Sequence, residues 1–340
     1  MKRRWTAISA AVVLVAMAAV AALAPTGYVV RAPGPATDLI GTGVLTVDGQ
    51  AGTVPSGHIL ATWMTQTPPT GRVTLVGLVA SYLRPHHDVL PRDAVYTSAQ
   101  TTTATADQAR QDAAAAQEEA LVAALRQAGR EVVERPKVMA VRVNGSSWQH
   151  LLVGDLVLEL DSTPVATEED VRALVRNKQI GDQLVVTVIR GEATEKVTIP
   201  KVMGAATDAT IPSLGVTWGI GYSYSPDVQV NLPPDHFAAS EGLAIALATY
   251  DQVSGVDLTA GATVAAVGRV SDQGVVTAVS GMREHAMSAW SAHAQLLVMP
   301  VANCSDLAEE FPGMAILPVA SLSEAVDILR DKDRLAAAGC

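Results

Sequence analysis

The chain has 340 residues, 49% hydrophobic but only 4% aromatic, with a formal net charge of −10 and a pI near 5.1. That length suits two or three domains with ordinary cores, and the acidic balance, with no basic run beyond Lys2, Arg3 and Arg4, excludes a nucleic-acid partner. No Gly-x-x-x-x-Gly-Lys-Ser/Thr phosphate loop occurs, which excludes ATP-driven work by this chain.

Residues 6–24 hold no charge over a length close to that needed to cross the hydrocarbon core as a helix. Lys2, Arg3 and Arg4 precede the run and the next basic residue is Arg31, so residues 1–25 read as a cytoplasmic tip and single-pass transmembrane anchor, with the bulk extracytoplasmic. Ala22-Leu23-Ala24 has the form of a signal-peptide cleavage site, the rival reading, and Pro25 directly after it opposes cleavage. Residues 26–104 alternate short runs with Gly/Pro punctuation: 44–47, 59–63 and 73–76 read as strands of a small β region. Pro85-His86-His87-Asp88 sets metal-capable side chains side by side without a third, well-spaced ligand, so it reads as loop and no metal is expected. Residues 105–129 form an Ala/Gln/Glu-rich helix stopped by Gly129, with Leu121, Val122 and Leu125 on one apolar face.

Residues 130–202 begin with a strand at 138–143, then Gly145-Ser146 and the run Leu152-Val153-Gly154-Asp155-Leu156-Val157-Leu158-Glu159-Leu160-Asp161. A helix over 168–176 and strands over 184–190 and 195–200 follow. This stretch resembles PDZ domains, whose Pro-Gly-Asp-Val-Ile-Leu-x-Val-Asp-Gly pattern it matches at 152–161. The resemblance implies that extended peptides or protein C-termini add to a sheet edge, with the terminal carboxylate held on backbone N–H groups. Trp148 stands where the family's Gly-Ser-Pro-Ala turn would continue, and no Gly-Leu-Gly-Phe-like carboxylate loop is legible; a spacer role is the alternative.

Residues 203–335 hold strands at 215–219 and 228–232, then Ala238-Ala239-Ser240-Glu241-Gly242 leading into a helix that ends near Gly255. Strands at 263–267, 296–299 and 314–318 alternate with helices at 284–294 and 321–330, the last capped by Ser321. The order of Ser240 and Gly242, Tyr250-Asp251, Leu258-Thr259-Ala260-Gly261, Ser280-Gly281-Met282-Arg283-Glu284-His285 and Val298-Met299-Pro300-Val301-Ala302-Asn303-Cys304 resembles the proteolytic domain of Lon-type serine peptidases. The nearer likeness is to membrane-anchored bacterial proteins that join it to a PDZ domain without an ATPase. It implies an α+β, multidomain fold: N-terminal transmembrane helix, small membrane-proximal β region, PDZ-like domain and Lon-proteolytic-like α/β domain, with the 215–219 and 228–232 strands running beside the peptidase cleft.

By this resemblance Ser240 is the nucleophile, Glu241 and Gly242 line the oxyanion cleft, and His285 occupies the position of the family's catalytic lysine. A serine hydroxyl needs a base to take its proton, and imidazole is competent near neutrality, but it is shorter and stiffer than lysine. Glu241 opposes negative charge on a substrate oxygen while favouring the helix N-terminus, where Ser240 could equally be only a cap. Three readings follow: an ATP-independent endopeptidase with a Ser240/His285 dyad, an inactive pseudo-peptidase acting as a peptide-binding scaffold, or a dyad with His236 as base. No cofactor is expected. The two cysteines, Cys304 and Cys340 in the 336–340 tail, fit an oxidising compartment and are expected to pair, with two unpaired thiols as the alternative.

Overall fold

The computed structural model describes residues 12, 14, 16–51, 56–96, 102–191, 193–232, 238–307 and 311–331. The chain forms two compact units, the first from residues up to Gly129 together with those from Pro226 on, the second from Arg130 to Ser225. The first unit opens with strands β1 (Tyr28–Asp38), β2 (Leu45–Val47), β3 (Gln50–Ala51), β4 (His58–Gln66) and β5 (Asp88–Pro91) and helices α1 (Leu75–Tyr82), α2 (Arg92–Val95) and α3 (Thr102–Gln127). The second unit carries β6 (Val132–Val141), β7 (Leu156–Leu160), β8 (Thr163–Pro164), α4 (Glu168–Arg176), β9 (Leu184–Arg190), β10 (Ala193–Ile199), β11 (Met203–Gly204), β12 (Pro212–Ser213) and β13 (Val216–Tyr224). The chain then completes the first unit with β14 (Val228–Val230), α5 (Gly242–Ser254), β15 (Thr263–Ala266), β16 (Arg269–Val270), β17 (Val276–Thr277), α6 (Met282–Ser291), β18 (Leu296–Pro300), β19 (Ala315–Val319) and α7 (Leu322–Arg330).

The first unit is organised by a mixed sheet in the order β19-β18-β15-β4-β1-β5, parallel from β19 to β4 and antiparallel from β4 to β5. Parallel strands are covered on both faces and therefore read as continuous apolar runs; Leu296-Leu297-Val298-Met299-Pro300 is buried throughout. Leu60, Ala265, Leu297 and Met299 pack under Met282, Ala286 and Ala289 of α6. Helix α5 lies against α3 and is buried nearly all round, which its Ala/Leu composition allows, and it ends where Gly255 takes φ 71°.

The second unit is an antiparallel sheet, β10-β9-β7-β6-β13, with β8 on β7. Its core is Val138, Val157, Leu160, Val171, Val175, Leu184, Val186 and Val188. Thr167 and Asp170 close a reciprocal capping box at the start of α4. Asp155 is buried and accepts from Arg190 Nε and Nη2 at 2.9 and 2.8 Å and from the N–H of Leu152, so the Gly-Asp pair of the 152–161 run has a structural role.

Several expectations need correction. Among the described residues no helix is long and apolar enough to cross a membrane, which overturns the fold class with an N-terminal transmembrane helix. The helical stretch described without interruption covers only 16–23, about 12 Å at 1.5 Å per residue against a core of about 30 Å, and the rest of 6–24 lies largely outside the described residues. The β region of 26–104 does not stand apart, because Ile59 pairs with Val264 and β1, β4 and β5 share a sheet with β15, β18 and β19. The 73–76 run is not a strand: Thr74 caps α1 by accepting the N–H of Gly77 at 3.2 Å. The 215–219 strand belongs to β13, which pairs with β6 and so is part of the second unit, and that unit runs on to Ser225 instead of ending at 202.

Candidate functional site

The second unit presents a groove between α4 and β13. Val171, Arg172, Val175 and Arg176 form one wall and Ile211 to Val216 with Trp218 the other, around a cavity of about 230 Å3. Strand β13 closes one end of the sheet order, so its outer edge is unoccupied by any described strand. The loop leading into it has a consistent polarity. The carbonyl of Ser213 accepts from Ser146 Oγ at 2.5 Å, that of Leu214 from the N–H of Ser147 at 3.1 Å, and that of Gly215 from the N–H of Arg142 at 2.8 Å. In a planar trans peptide each carbonyl opposes the following N–H, so the N–H groups of Leu214, Gly215 and Val216 point the other way. Val216 and Val141 form a pair that exchanges no hydrogen bonds, which independently turns the Val216 N–H away from β6. Gly215 holds φ +66°, a left-handed conformation that bends the chain into this concave run of donors, and its own N–H reaches Ser213 Oγ at 3.1 Å.

The Gly145-Ser146 turn supports this loop from behind. Ser146 is buried, and its hydroxyl also accepts from the N–H of Met203 at 2.8 Å. Trp148 follows the turn and is 38% exposed, so the departure from the family's turn leaves the loop intact. A row of outward N–H groups at the head of a free strand edge, beside an apolar helix face, can hold a carboxylate and pair with an extended chain. Ser213 to Val216 were missed in the sequence because they follow β10, outside the stretch expected to contain the domain.

Residues 113–200 match the family model of the PDZ domain. The chain carries a PDZ domain. Similar solved structures include the PDZ domain of an SdrC-like protein from Listeria monocytogenes, at 24% identity and TM-score 0.23, covering 25% of this chain and 86% of that one. The PDZ domain of an SdrC-like protein from Listeria innocua has 20% identity and TM-score 0.23, covering 25% and 92%. A solution structure of a protein from Geobacillus thermodenitrificans has 31% identity and TM-score 0.22, covering 24% and 92%. No curated protein matches the chain. The match to the PDZ model starts within α3 and stops before β13, whereas the compact unit spans 130–225 and includes the groove strand.

In the first unit Ser240 lies in a 3-10 turn, Ala239–Glu241, just before α5. The N–H of Gly268 donates to the Ser240 carbonyl at 2.8 Å, and the N–H of Leu243 donates to the Gly268 carbonyl at 2.8 Å. Gly242 is needed here, since a Cβ would press within 3.1 Å of the Val270 nitrogen and 3.2 Å of the Gly268 oxygen. His285 lies in the first turn of α6, buried, with Nδ1 3.0 Å from Thr62 Oγ1. Thr62 follows the Ala61–Ala266 pair, and Gly268 is two residues beyond Ala266, so Ser240 and His285 both lie by the carboxyl end of β15, level with the middle of β4. In open α/β sheets that end is where ligands gather.

The two side chains have other engagements. Ser240 Oγ donates to Glu241 Oε1 at 2.8 Å, and Glu241 Oε2 accepts the N–H of Ala238 at 2.8 Å. His285 Nε2 is buried and has no hydrogen-bond partner among the described residues, so it makes no bond to Ser240. Whichever tautomer faces Thr62, one imidazole nitrogen is unsatisfied. Burial pushes the His285 pKa down to about 4 and that of Glu241 up to about 7, the latter against the opposing hydrogen bonds from Ser240 and Ala238. Glu284, also buried, is raised by burial and by Asp88 beside it. Asp88 lies 3.4 Å from Arg283 Nη1, which ties the Pro85–Asp88 stretch to α6. Cys304 is not a free thiol. His236 and Cys340 lie outside the described residues.

Proposed function

We propose that this protein captures extended segments or C-termini of other polypeptides in the groove between α4 and β13, and that its first unit is a Lon-peptidase-like scaffold that does not cut them. The observation that carries the binding half is the inward turn of the Ser213, Leu214 and Gly215 carbonyls, which leaves the N–H groups of Leu214 and Val216 as donors at the mouth of the groove, on either side of the Gly215 N–H held by Ser213 Oγ. What supports the non-cutting half is the engagement of Ser240 with Glu241 and a His285 Nε2 that has no hydrogen-bond partner among the described residues. An imidazole with a pKa near 4 is also a weak base at neutral pH. The second reading, an ATP-independent Lon-type endopeptidase with a Ser240/His285 dyad, is favoured by one feature: both residues lie by the carboxyl end of β15. An extracytoplasmic location belongs to the same proposal, and a Cys304–Cys340 bridge would be its covalent signature.

Titration of the full chain with a library of labelled C-terminal peptides, followed through the fluorescence of Trp218 in the groove, tests the binding half. Saturable binding in the micromolar range is the expected result. Nothing tighter than about 1 mM, equivalent to about 4 kcal/mol, would overturn it.

A further inference from the structure

Helix α1 of the first unit, Leu-Val-Gly-Leu-Val-Ala-Ser-Tyr, has no buried residue. Leu75, Val76 and Val79 are 43%, 56% and 51% exposed, while Tyr82 and the adjoining Leu83 reach 79% and 76%. Tyr28, Leu78, Val79, Tyr82, Leu83 and Val89 rim a shallow apolar cavity. Eight residues make a marginal helix in water, and an apolar helix left uncovered signals an absent partner.

Three further observations bear on what that partner is. First, α1 is joined directly to the apolar N-terminal stretch: the N–H of Leu75 donates to the Ala24 carbonyl at 3.1 Å, and the N–H of Thr26 to the Val73 carbonyl at 2.8 Å. In that stretch Val12, Leu14, Met17, Val20 and Leu23 are each more than 60% exposed, and no charged residue occurs from Trp5 to Val30. Second, in a chain of net charge −10, residues 49–87 contain no Asp or Glu, while Arg72 and Arg84 bracket α1. Third, Tyr28 and Tyr82 stand at the patch, and their rings suit a boundary that is apolar on one side and wet on the other.

We propose that α1 is an interfacial helix that lies on a lipid surface bearing anionic headgroups, its Leu/Val/Tyr face among the acyl chains and Arg72 and Arg84 toward the headgroups. This contact lies along the surface and crosses nothing, and it is independent of peptide capture by the groove. A folded protein partner would account for the apolar face but not for its continuity with the uncharged 5–30 run.

Hydrogen exchange of the full chain tests this, because it reads α1 itself rather than attachment through the N-terminal stretch. The comparison is between protein alone, phosphatidylcholine vesicles, and vesicles in which about a third of the lipid is phosphatidylglycerol. Amides of residues 75–83 should slow roughly tenfold with the mixed vesicles and less with phosphatidylcholine alone. The double variant Val79→Glu/Tyr82→Glu, at two exposed positions, should lose that protection while exchange in the groove helix 168–176 is unchanged. Equal exchange of 75–83 with and without vesicles would overturn the proposal. So would protection that appears without lipid and grows with protein concentration, which would assign the patch to a second copy of the chain.

Discussion

Glu241 and His285 should give the first unit opposing pH dependences. The folded-state pKa of Glu241 is raised from 4.5 to about 7 by burial, so the folded form holds a proton that the unfolded form releases. Its contribution is full below 4.5 and is lost as pH rises to about 7. His285 is lowered from 6.5 to about 4 by burial, so its contribution is full above 6.5 and is lost as pH falls to about 4. Both side chains are almost fully buried, so each change is worth about 3 kcal/mol across its window. Between 4.5 and 6.5 the two slopes cancel. In Glu241→Gln, which can still accept from the N–H of Ala238 and donate to Ser240, only the His285 slope remains. The difference in unfolding free energy, wild type minus variant, should therefore fall by about 3 kcal/mol as pH rises through the Glu241 window. Urea unfolding of the two full chains, followed by far-UV circular dichroism, measures it. A difference that stays flat with pH would refute the assignment of a buried, protonated Glu241 bonded to Ser240.

Gly215→Val would place a β-branched residue at φ +66°, at a cost of about 1–2 kcal/mol, and should weaken C-terminal peptide binding at least roughly tenfold. Fluorophosphonate labelling from about pH 6 to pH 9 should be the same for wild type and Ser240→Ala; labelling that depends on Ser240 would establish an activated nucleophile and remove the scaffold reading. A thiol count on denatured, unreduced protein should find none, in keeping with a Cys304 that is not free, and two thiols per chain would discard the bridge and the oxidising location it supports.

Local patterns told most where structure is locally determined. The helix of 168–176 and the strand of 184–190 were legible because Thr167 and Asp170 form a cap box and Leu184 to Arg190 is an unbroken apolar-rich run. What escaped depends on distant pairing. A short apolar run such as 73–76 carries no period that separates strand from helix, and only the Thr74 cap distinguishes them. The binding loop was overlooked because β13 crosses back to pair with β6, some 80 residues earlier. A usable signal was present, a glycine between Leu214 and Val216 at the head of a strand. At Ser240 and His285 the order of motifs marked two residues that the fold brings to the carboxyl end of β15. It carried no information on burial or on the Ser240–Glu241 bond, because both depend on how α5 and α6 pack.

The most direct test of the account is the affinity of the full chain for one peptide in two forms, a free C-terminal carboxylate and its C-terminal amide. If the N–H groups of Leu214 and Val216 hold a carboxylate, the acid should bind at least roughly tenfold tighter, a difference of about 1.4 kcal/mol. Equal affinities would contradict it.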